Sequence, residues 1–310
     1  VRVTLVHNPG AGDDKQPSKG QLEALIHEAG HEVRYQSVRE KGWSKVLKKN
    51  ADVIAVAGGD GTVGKVARRL IGHGTPIAVL PMGTANNISR TLGIADMSVL
   101  ELIPSWSTAR HLSVDAGMAT YPWGERYFVE GVGAGFFTTA IPHVDADQTL
   151  ARLNDAEGKL TYTLQLMREL LDRCPATELT IRLDGKDASG RYILFETLLL
   201  QYIGPNLFLA PKTICDDGQF DVVMVAEKDR EKLHEHLKTW QEGTLWPAEF
   251  RTHRAKRVQI AWNGFPVHID DKVWPKRGVK GLKNPAEIDL QVVRKAIDFL
   301  VPKDVAAPAR

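Results

Sequence analysis

Residues 52–62 read Asp52-Val-Ile-Ala-Val-Ala-Gly-Gly-Asp-Gly-Thr62, and the character of the chain changes halfway along. An apolar run of strand type ends at Gly58, with glycine at 58, 59 and 61, and a helix-patterned segment from Val63 to Ile71 follows. Glycine lets the backbone turn sharply and approach a ligand with no Cβ in the way, and a helix start offers N–H groups without intrahelical partners to an anion. The pattern therefore predicts a strand, a phosphate-binding loop and a helix. Asp60 sits among those donors and would repel a phosphate unless a cation lies between them or its carboxylate organises the loop and a water. Taken alone, the string also reads as a tight strand-to-helix turn without a ligand.

Two further stretches repeat the arrangement. Ile77-Ala-Val-Leu-Pro81 empties into Met82-Gly83-Thr84-Ala85-Asn86-Asn87 before a helix starting near Ile88, and the short strand Val3–Val6 is followed by His7-Asn8-Pro9-Gly10-Ala11-Gly12. Successive turns of this kind place adjacent parallel strands with their carboxyl ends on one crevice, where open α/β sheets bind ligands. Helical stretches at Leu22–Ala29, Trp43–Lys49, Asn87–Leu92 and Met97–Ile103 complete a βαβ pattern as far as Leu112.

From Ser113 strands dominate: 113–119, 125–132, 178–183, 191–202, 220–226, 257–262 and 267–269, with turn signals at Asp184-Gly185 and Asn263-Gly264. One amphipathic helix, from about Leu150 to Asp172, interrupts them, with Leu160, Leu164, Met167, Leu170 and Leu171 at helical spacing. It reads as a cover for the β-domain's core. The expected fold is an N-terminal doubly wound α/β domain, residues 1–112 with 287–310, and a second, β-sandwich-like domain, residues 113–286. A helix-like Arg294–Leu300 is expected in the returning segment, followed by a frayed tail from Pro302 to Arg310.

Composition narrows the function classes. At 310 residues two domains are the expectation, and 43% hydrophobic with 25% charged residues is ordinary for a globular protein. A net charge of +2 gives no global basic field, so no nucleic-acid partner is expected. No apolar stretch is long enough to span a bilayer, and the expectation is a soluble, cytoplasmic protein. Cys174 and Cys215 have no metal-ligand or redox spacing and read as reduced thiols. The histidines are scattered, and His31, His234 and His236 read as surface residues.

In order, spacing and context, Asn8-Pro9-x-x-Gly12, the Gly-Gly-Asp-Gly-Thr loop and Leu80-Pro-x-Gly-Thr-x-Asn86 resemble the three nucleotide-binding motifs of the diacylglycerol kinase catalytic-domain family. That family includes bacterial lipid kinases and sphingosine and ceramide kinases. The resemblance continues through Gly131-Val-Gly-Ala-Gly-Phe136, where the family has a glycine turn. It extends to Asp216-Asp217-Gly218, and to His268-Ile-Asp-Asp-Lys272, where the family has Asp-Gly-Glu.

What the resemblance implies is an NAD kinase/diacylglycerol kinase-like architecture that moves a phosphoryl group from ATP, with Mg²⁺, to a hydroxyl of a lipid such as diacylglycerol or a related amphiphilic alcohol. Such a protein would meet its acceptor at the inner membrane surface, as a peripheral contact, and a homodimer is among the expectations. Gly58, Gly59, Gly61 and Thr62 would cradle phosphates, with Asp60 positioning Mg²⁺ through water. Gly83, Thr84 and Asn86 would complete the crevice, and Asn8 would help hold the nucleotide. Asp270 would be the base that takes the acceptor's proton; on the residues alone it also reads as a strand-end turn. Asp217 would mark a structural divalent-ion site, and an ordinary Asp-Gly turn is its other reading.

Three departures stand out. The family's Asp-Gly-Glu reads Asp270-Asp271-Lys272, its Asn-Glu after the glycine loop reads Gly64-Lys65, and its second acidic loop position is Asn87. If all three point inward, the site loses roughly five units of negative charge. Lys272 would then stabilise the transferring phosphoryl group or an anionic acceptor. The competing readings are a catalytically weak nucleotide-binding sensor of the same fold and an NAD kinase, although the Asn-Glu dipeptide of NAD kinases occurs nowhere in the chain.

Overall fold

The computed structural model describes residues 1–13, 15–243, 250–276 and 286–306; the expected frayed tail lies outside them from 307 onward. The chain divides into two compact units, Val1–Val114 with Asn154–Ala156 and Lys295–Arg310, and Asp115–Leu153 with Glu157–Arg294.

In the first unit, β1 (Arg2–His7), β2 (Glu32–Ser37), β3 (Val53–Gly58) and β4 (Ile77–Pro81) form a parallel sheet in the order β2-β1-β3-β4. All six residues of β3 are buried, the continuous apolar pattern of a central parallel strand. Helix α1 (Lys19–Glu28) links β1 to β2, opens on a capping box between Ser18 and Gln21, and buries Leu22 and Ile26. A 3₁₀ turn, Trp43–Lys48, precedes β3, and α2 (Asp60–Leu70) links β3 to β4. Two short helices, α3 (Asn87–Thr91) and α4 (Val99–Ser105), follow. Because the chain steps outward from β1 to β2 and then returns to the other side of β1, the direction of winding reverses between β1 and β3. Open α/β sheets place their ligands at such a reversal.

β5 (Arg110–Tyr121) carries the chain onward. The second unit then holds β6 (Gly124–Phe128), β7 (Gly131–Gly135), α5 (Phe136–Ala146), α6 (Ala156–Leu171), β8 (Thr177–Leu183), β9 (Lys186–Asp187), β10 (Gly190–Leu198) and β11 (Phe220–Ala226). It continues with α7 (Arg230–Gln241), β12 (Arg251–Ala255), β13 (Arg257–Trp262), β14 (Val267–Ile269), β15 (Lys272–Trp274) and the first half of β16 (Ala286–Val301). Its pairings are antiparallel, and β7 lies between β10 and β14. Asp184 and Gly185 both take positive φ in the tight turn joining β8 to β9. Strand periodicity divides two apolar clusters: on β11, Phe220, Val222 and Met224 face the sandwich core with Phe128, Phe195 and Ile260, whereas Val223 and Val225 face a second cluster with the helices. Leu164, Met167 and Leu171 of α6 belong to that second cluster, so the helix covers the β-domain's core. No helix among the described residues is long and apolar enough to cross a membrane.

Four sequence expectations change. Helix α2 begins at Asp60, not Val63, so Asp60, Gly61 and Thr62 form its first turn. The string Gly131–Gly135 is a buried strand, not a turn. The returning segment Arg294–Leu300 is strand rather than helix: β16 runs to Val301, with buried Ile297, Phe299 and Val301 alternating at period two and a positive-φ residue at Lys295. His31 and His236 are buried, not on the surface: His31 stacks on Trp106, and His236 packs against Trp240 and Phe250.

Candidate functional site

The loops after β1, β3 and β4 leave neighbouring strands at their carboxyl ends, and the backbone itself ties them together. The Asn8 amide N–H donates to Ala57 carbonyl (2.9 Å) and its side-chain Nδ2 to Thr62 Oγ1 (3.3 Å), spanning the β1/β3 reversal. A Cβ on Gly59 would lie 2.9 Å from Gly83 Cα, and one on Gly83 would collide with Gly59 Cα in turn. Gly12, at φ +73°, leaves no room for a Cβ beside the Met82 carbonyl. These glycines are needed for loop-to-loop contact in addition to any ligand. Asn86, in the left-handed region at φ +55°, closes its loop by accepting from Gly83 N–H and donating to Gly83 carbonyl, both at 2.9 Å. Thr84 lies half-buried within that loop.

Helix α2 has Gly59 as its N-cap and no side-chain cap, so an anion at its positive end would complement the first turn. Asp60 fixes this end to the next loop: its Oδ1 accepts the Ile88 amide at 2.9 Å and so caps α3. Burial pushes the Asp60 carboxyl above the ordinary carboxylate range, against the opposing pull of the Ile88, Asn87 and Asn86 amides, although part of its surface stays accessible. Asn8, Gly58, Gly59, Asp60, Gly61, Thr62, Gly83, Thr84 and Asn86 thus share one set of loops within the first unit. Lys65 is exposed and Asn87 is buried.

In the second unit Asp270 follows β14 and is buried, at φ +49°. Its N–H donates to Gly131 carbonyl (2.8 Å), while Oδ1 accepts the amides of Val129 (3.1 Å) and Glu130 (2.9 Å). Two groups absent from the sequence-level site stand behind it. His268 Nδ1 lies 2.9 Å from the Asp270 carbonyl oxygen, and its Nε2 lies 2.9 and 2.8 Å from the two oxygens of Glu196. The side chains of His268 and Glu196 are 1% and 0% exposed. Burial pushes the Glu196 carboxyl up. Burial pulls the His268 imidazole down, but Glu196 and the Asp270 carbonyl more than offset this and hold it above its ordinary value. One signal in the sequence was a lone Glu inside the apolar run Ile193–Leu198.

Lys272 opens β15 with its side chain 46% exposed, its Nζ 3.2 Å from Asp271 and 3.8 Å from Asp145. With Lys65 also exposed, the three departures from the family pattern do not all point inward. Asp217 lies in the turn before β11. Its Oδ1 accepts the Gln219 amide (3.0 Å) and its Oδ2 pairs with the Arg254 guanidinium. The Gly218 amide donates to buried Asp115 (2.6 Å), and a Cβ on Gly218 would come 2.7 Å from Arg294 Nε. The Arg254 guanidinium is a competing cation at Oδ2, so a divalent ion held by Asp217 would have to displace it. Among the described residues no three His, Cys, Asp or Glu side chains gather as a metal-ligand group.

Residues 2–119 match the diacylglycerol kinase catalytic domain, and residues 135–292 match the YegS C-terminal NAD kinase beta sandwich-like domain. A diacylglycerol kinase of Bacillus subtilis (strain 168) is 28% identical over 232 residues, covering 72% of this chain and 73% of that protein. One from Staphylococcus aureus (strain MRSA252) is 27% identical over 320 residues, covering 98% and 93%. Among solved structures, a diacylglycerol kinase from Bacillus anthracis str. Sterne superposes with a TM-score of 0.73 at 21% identity over 98% of each chain. Yeast NADH kinase complexed with NADH does so with 0.53 at 10% identity, covering 97% of this chain and 83% of that one. Both structural likenesses speak for the fold. With the two domain matches in chain order over most of its length, this chain belongs to the diacylglycerol kinase catalytic-domain family.

Proposed function

We propose that this protein transfers the γ-phosphoryl group of ATP to a hydroxyl of a diacylglycerol-like lipid or a related amphiphilic alcohol. The observation that carries this reading is the set of three loops at the β1/β3 reversal, locked together through glycine backbone and presenting the uncapped start of α2. In this reading Gly58, Gly59, Gly61 and Thr62 surround the phosphates. Gly83, Thr84, Asn86 and Asn8 shape the rest of the crevice. Asp60, which caps α3, would help hold the Mg²⁺ that neutralises the phosphates. Asp270 takes the acceptor's hydroxyl proton as the oxygen–phosphorus bond forms and the bond to the β-phosphate oxygen breaks, releasing ADP. An acceptor with long apolar chains would be met at a membrane surface.

A second reading, a nucleotide-binding sensor, draws on Lys272, which stands where the family has an acid and is engaged by Asp271 and Asp145. ADP release measured across a panel of hydroxylated lipids in mixed micelles, with Mg²⁺ varied, separates the two. Acceptor- and Mg²⁺-dependent turnover is expected. Intact ATP binding without turnover on every acceptor would replace the kinase reading with the sensor reading.

A further inference from the structure

We propose that Glu196 and His268, meeting across Gly133, form a buried positioning unit that sets the backbone of Asp270. The inference rests on the kinase reading only for what Asp270 then does. Gly133 on β7 is in register with Glu196 on β10 at one side and with His268 on β14 at the other. Residues two strands apart are separated by roughly 10 Å of sheet, and an intervening side chain normally fills that space. Gly133 has none, and a Cβ there would collide with the Glu196 carboxylate. The carboxylate and the imidazole therefore meet above bare backbone, completely buried.

The unit has a direction. A carbonyl oxygen only accepts, so His268 Nδ1 carries its proton and donates to the carbonyl of Asp270. Nε2 and Glu196 then share one further proton, which leaves the pair neutral whichever partner holds it; losing that proton would strand a buried charge. The imidazole is thereby fixed in orientation at both nitrogens. Its output is the Asp270–Asp271 peptide, at a residue whose φ of +49° is unfavourable for a side chain with a Cβ and needs anchoring. Holding that carbonyl on one side, while Gly131 holds the Asp270 N–H on the other, aims the carboxylate at the amides of Val129 and Glu130.

The test uses the full chain with E196Q and the double variant E196L/H268L. Replacing a buried pair by apolar residues of similar volume usually leaves stability intact, so the double variant keeps the question answerable if E196Q does not fold. A positioning role predicts kcat lower by roughly tenfold or more, with KM for ATP within roughly twofold of the parent and cooperative unfolding retained. It also predicts a shifted Asp270 backbone amide resonance and loss of the slowly exchanging His268 Nδ1 proton signal. Parent-like kcat together with an unmoved Asp270 resonance in a folded variant overturns the proposal. Should the parent turn over no acceptor, the kinase reading fails and the resonances decide: an Asp270 amide that moves in the variants upholds the positioning unit, and an unmoved one overturns it.

Discussion

At the carboxyl ends of β1, β3 and β4, three loops are joined by glycine backbones in contact and by short polar side chains. At the end of β14, the backbone carbonyl of one residue, Asp270, is held by His268 of the same strand, which pairs in turn with Glu196 from β10. The first arrangement has little side chain to lose and fails when bulk is added. The second fails when charge or hydrogen-bonding capacity is removed. Substitutions that break one should therefore leave the other's characteristic observable in place.

Gly83→Ala is the most severe test of the backbone-built site. Its Cβ would collide with Gly59 Cα, which is backbone, and lie 2.8 Å from Asn86 Oδ1, a side-chain end tied to Gly83 by its own hydrogen bonds. Overpacking of this kind costs about 1–3 kcal/mol. The expected outcome is a matching loss of thermal stability and ATP affinity too weak to measure by calorimetry, with the His268 Nδ1 proton signal unchanged. Parent-like ATP affinity would remove the loops from the nucleotide site. Asp270→Asn comes next. The amide oxygen of Asn can still accept from Val129 and Glu130, so geometry is kept and only proton acceptance is lost. Turnover should fall roughly a hundredfold or more while KM for ATP changes little. Robust turnover in this variant would eliminate Asp270 as the base.

The same contrast accounts for what was legible in the sequence. The three loops were readable because their signals are local: glycines and Asn follow apolar strands within a few residues, and Gly58–Thr62, Gly83–Asn86 and Asn8 lie together in the structure. The sequence pattern puts the start of α2 three residues late because Asp60, Gly61 and Thr62 have loop composition, whereas Gly59 takes the N-cap position in the structure. Glu196 and His268 escaped because they are 72 positions apart and meet only through the register of β10, β7 and β14. The glycine run that suggested a turn is the strand that lets them meet. Likewise, Arg254 reaches Asp217 through the pairing of β12 with β11, which no local spacing encodes.

Two buried histidines sharpen the comparison through pH. His236 on α7 packs against Trp240 and Phe250, its Nε2 has no hydrogen-bond partner among the described residues, and burial lowers its pKa to about 4 from 6.5. The unfolded chain binds that proton first, so stability falls as pH drops from about 6.5 towards 4, by on the order of 2 kcal/mol. His236→Leu should flatten this slope in denaturant titrations across the window; an unchanged slope would place the titrating group elsewhere. His268 has the opposite sign. Held above its ordinary value, it contributes stability that is fully present below pH 6.5 and is lost as pH rises through its folded value.

Lys272 should give the smallest effect, and its size decides what the family's missing acid means. The side chain is nearly half exposed, and its partners, Asp271 at 3.2 Å and Asp145 at 3.8 Å, form a surface cluster of a kind worth about 0–1 kcal/mol. Lys272→Ala is therefore expected to move the melting transition little and to lower turnover by no more than roughly threefold, an effect that fades as salt screens the pairs. A lysine that met the transferring phosphoryl group would behave differently: its loss would lower kcat by roughly a hundredfold and added salt would not hide it. Measuring kcat for Lys272→Ala at low and high ionic strength distinguishes these cases. A large, salt-independent loss would bring Lys272 into the chemistry beside Asp270, whereas the expected small loss keeps it a surface lysine paired with Asp271 and Asp145.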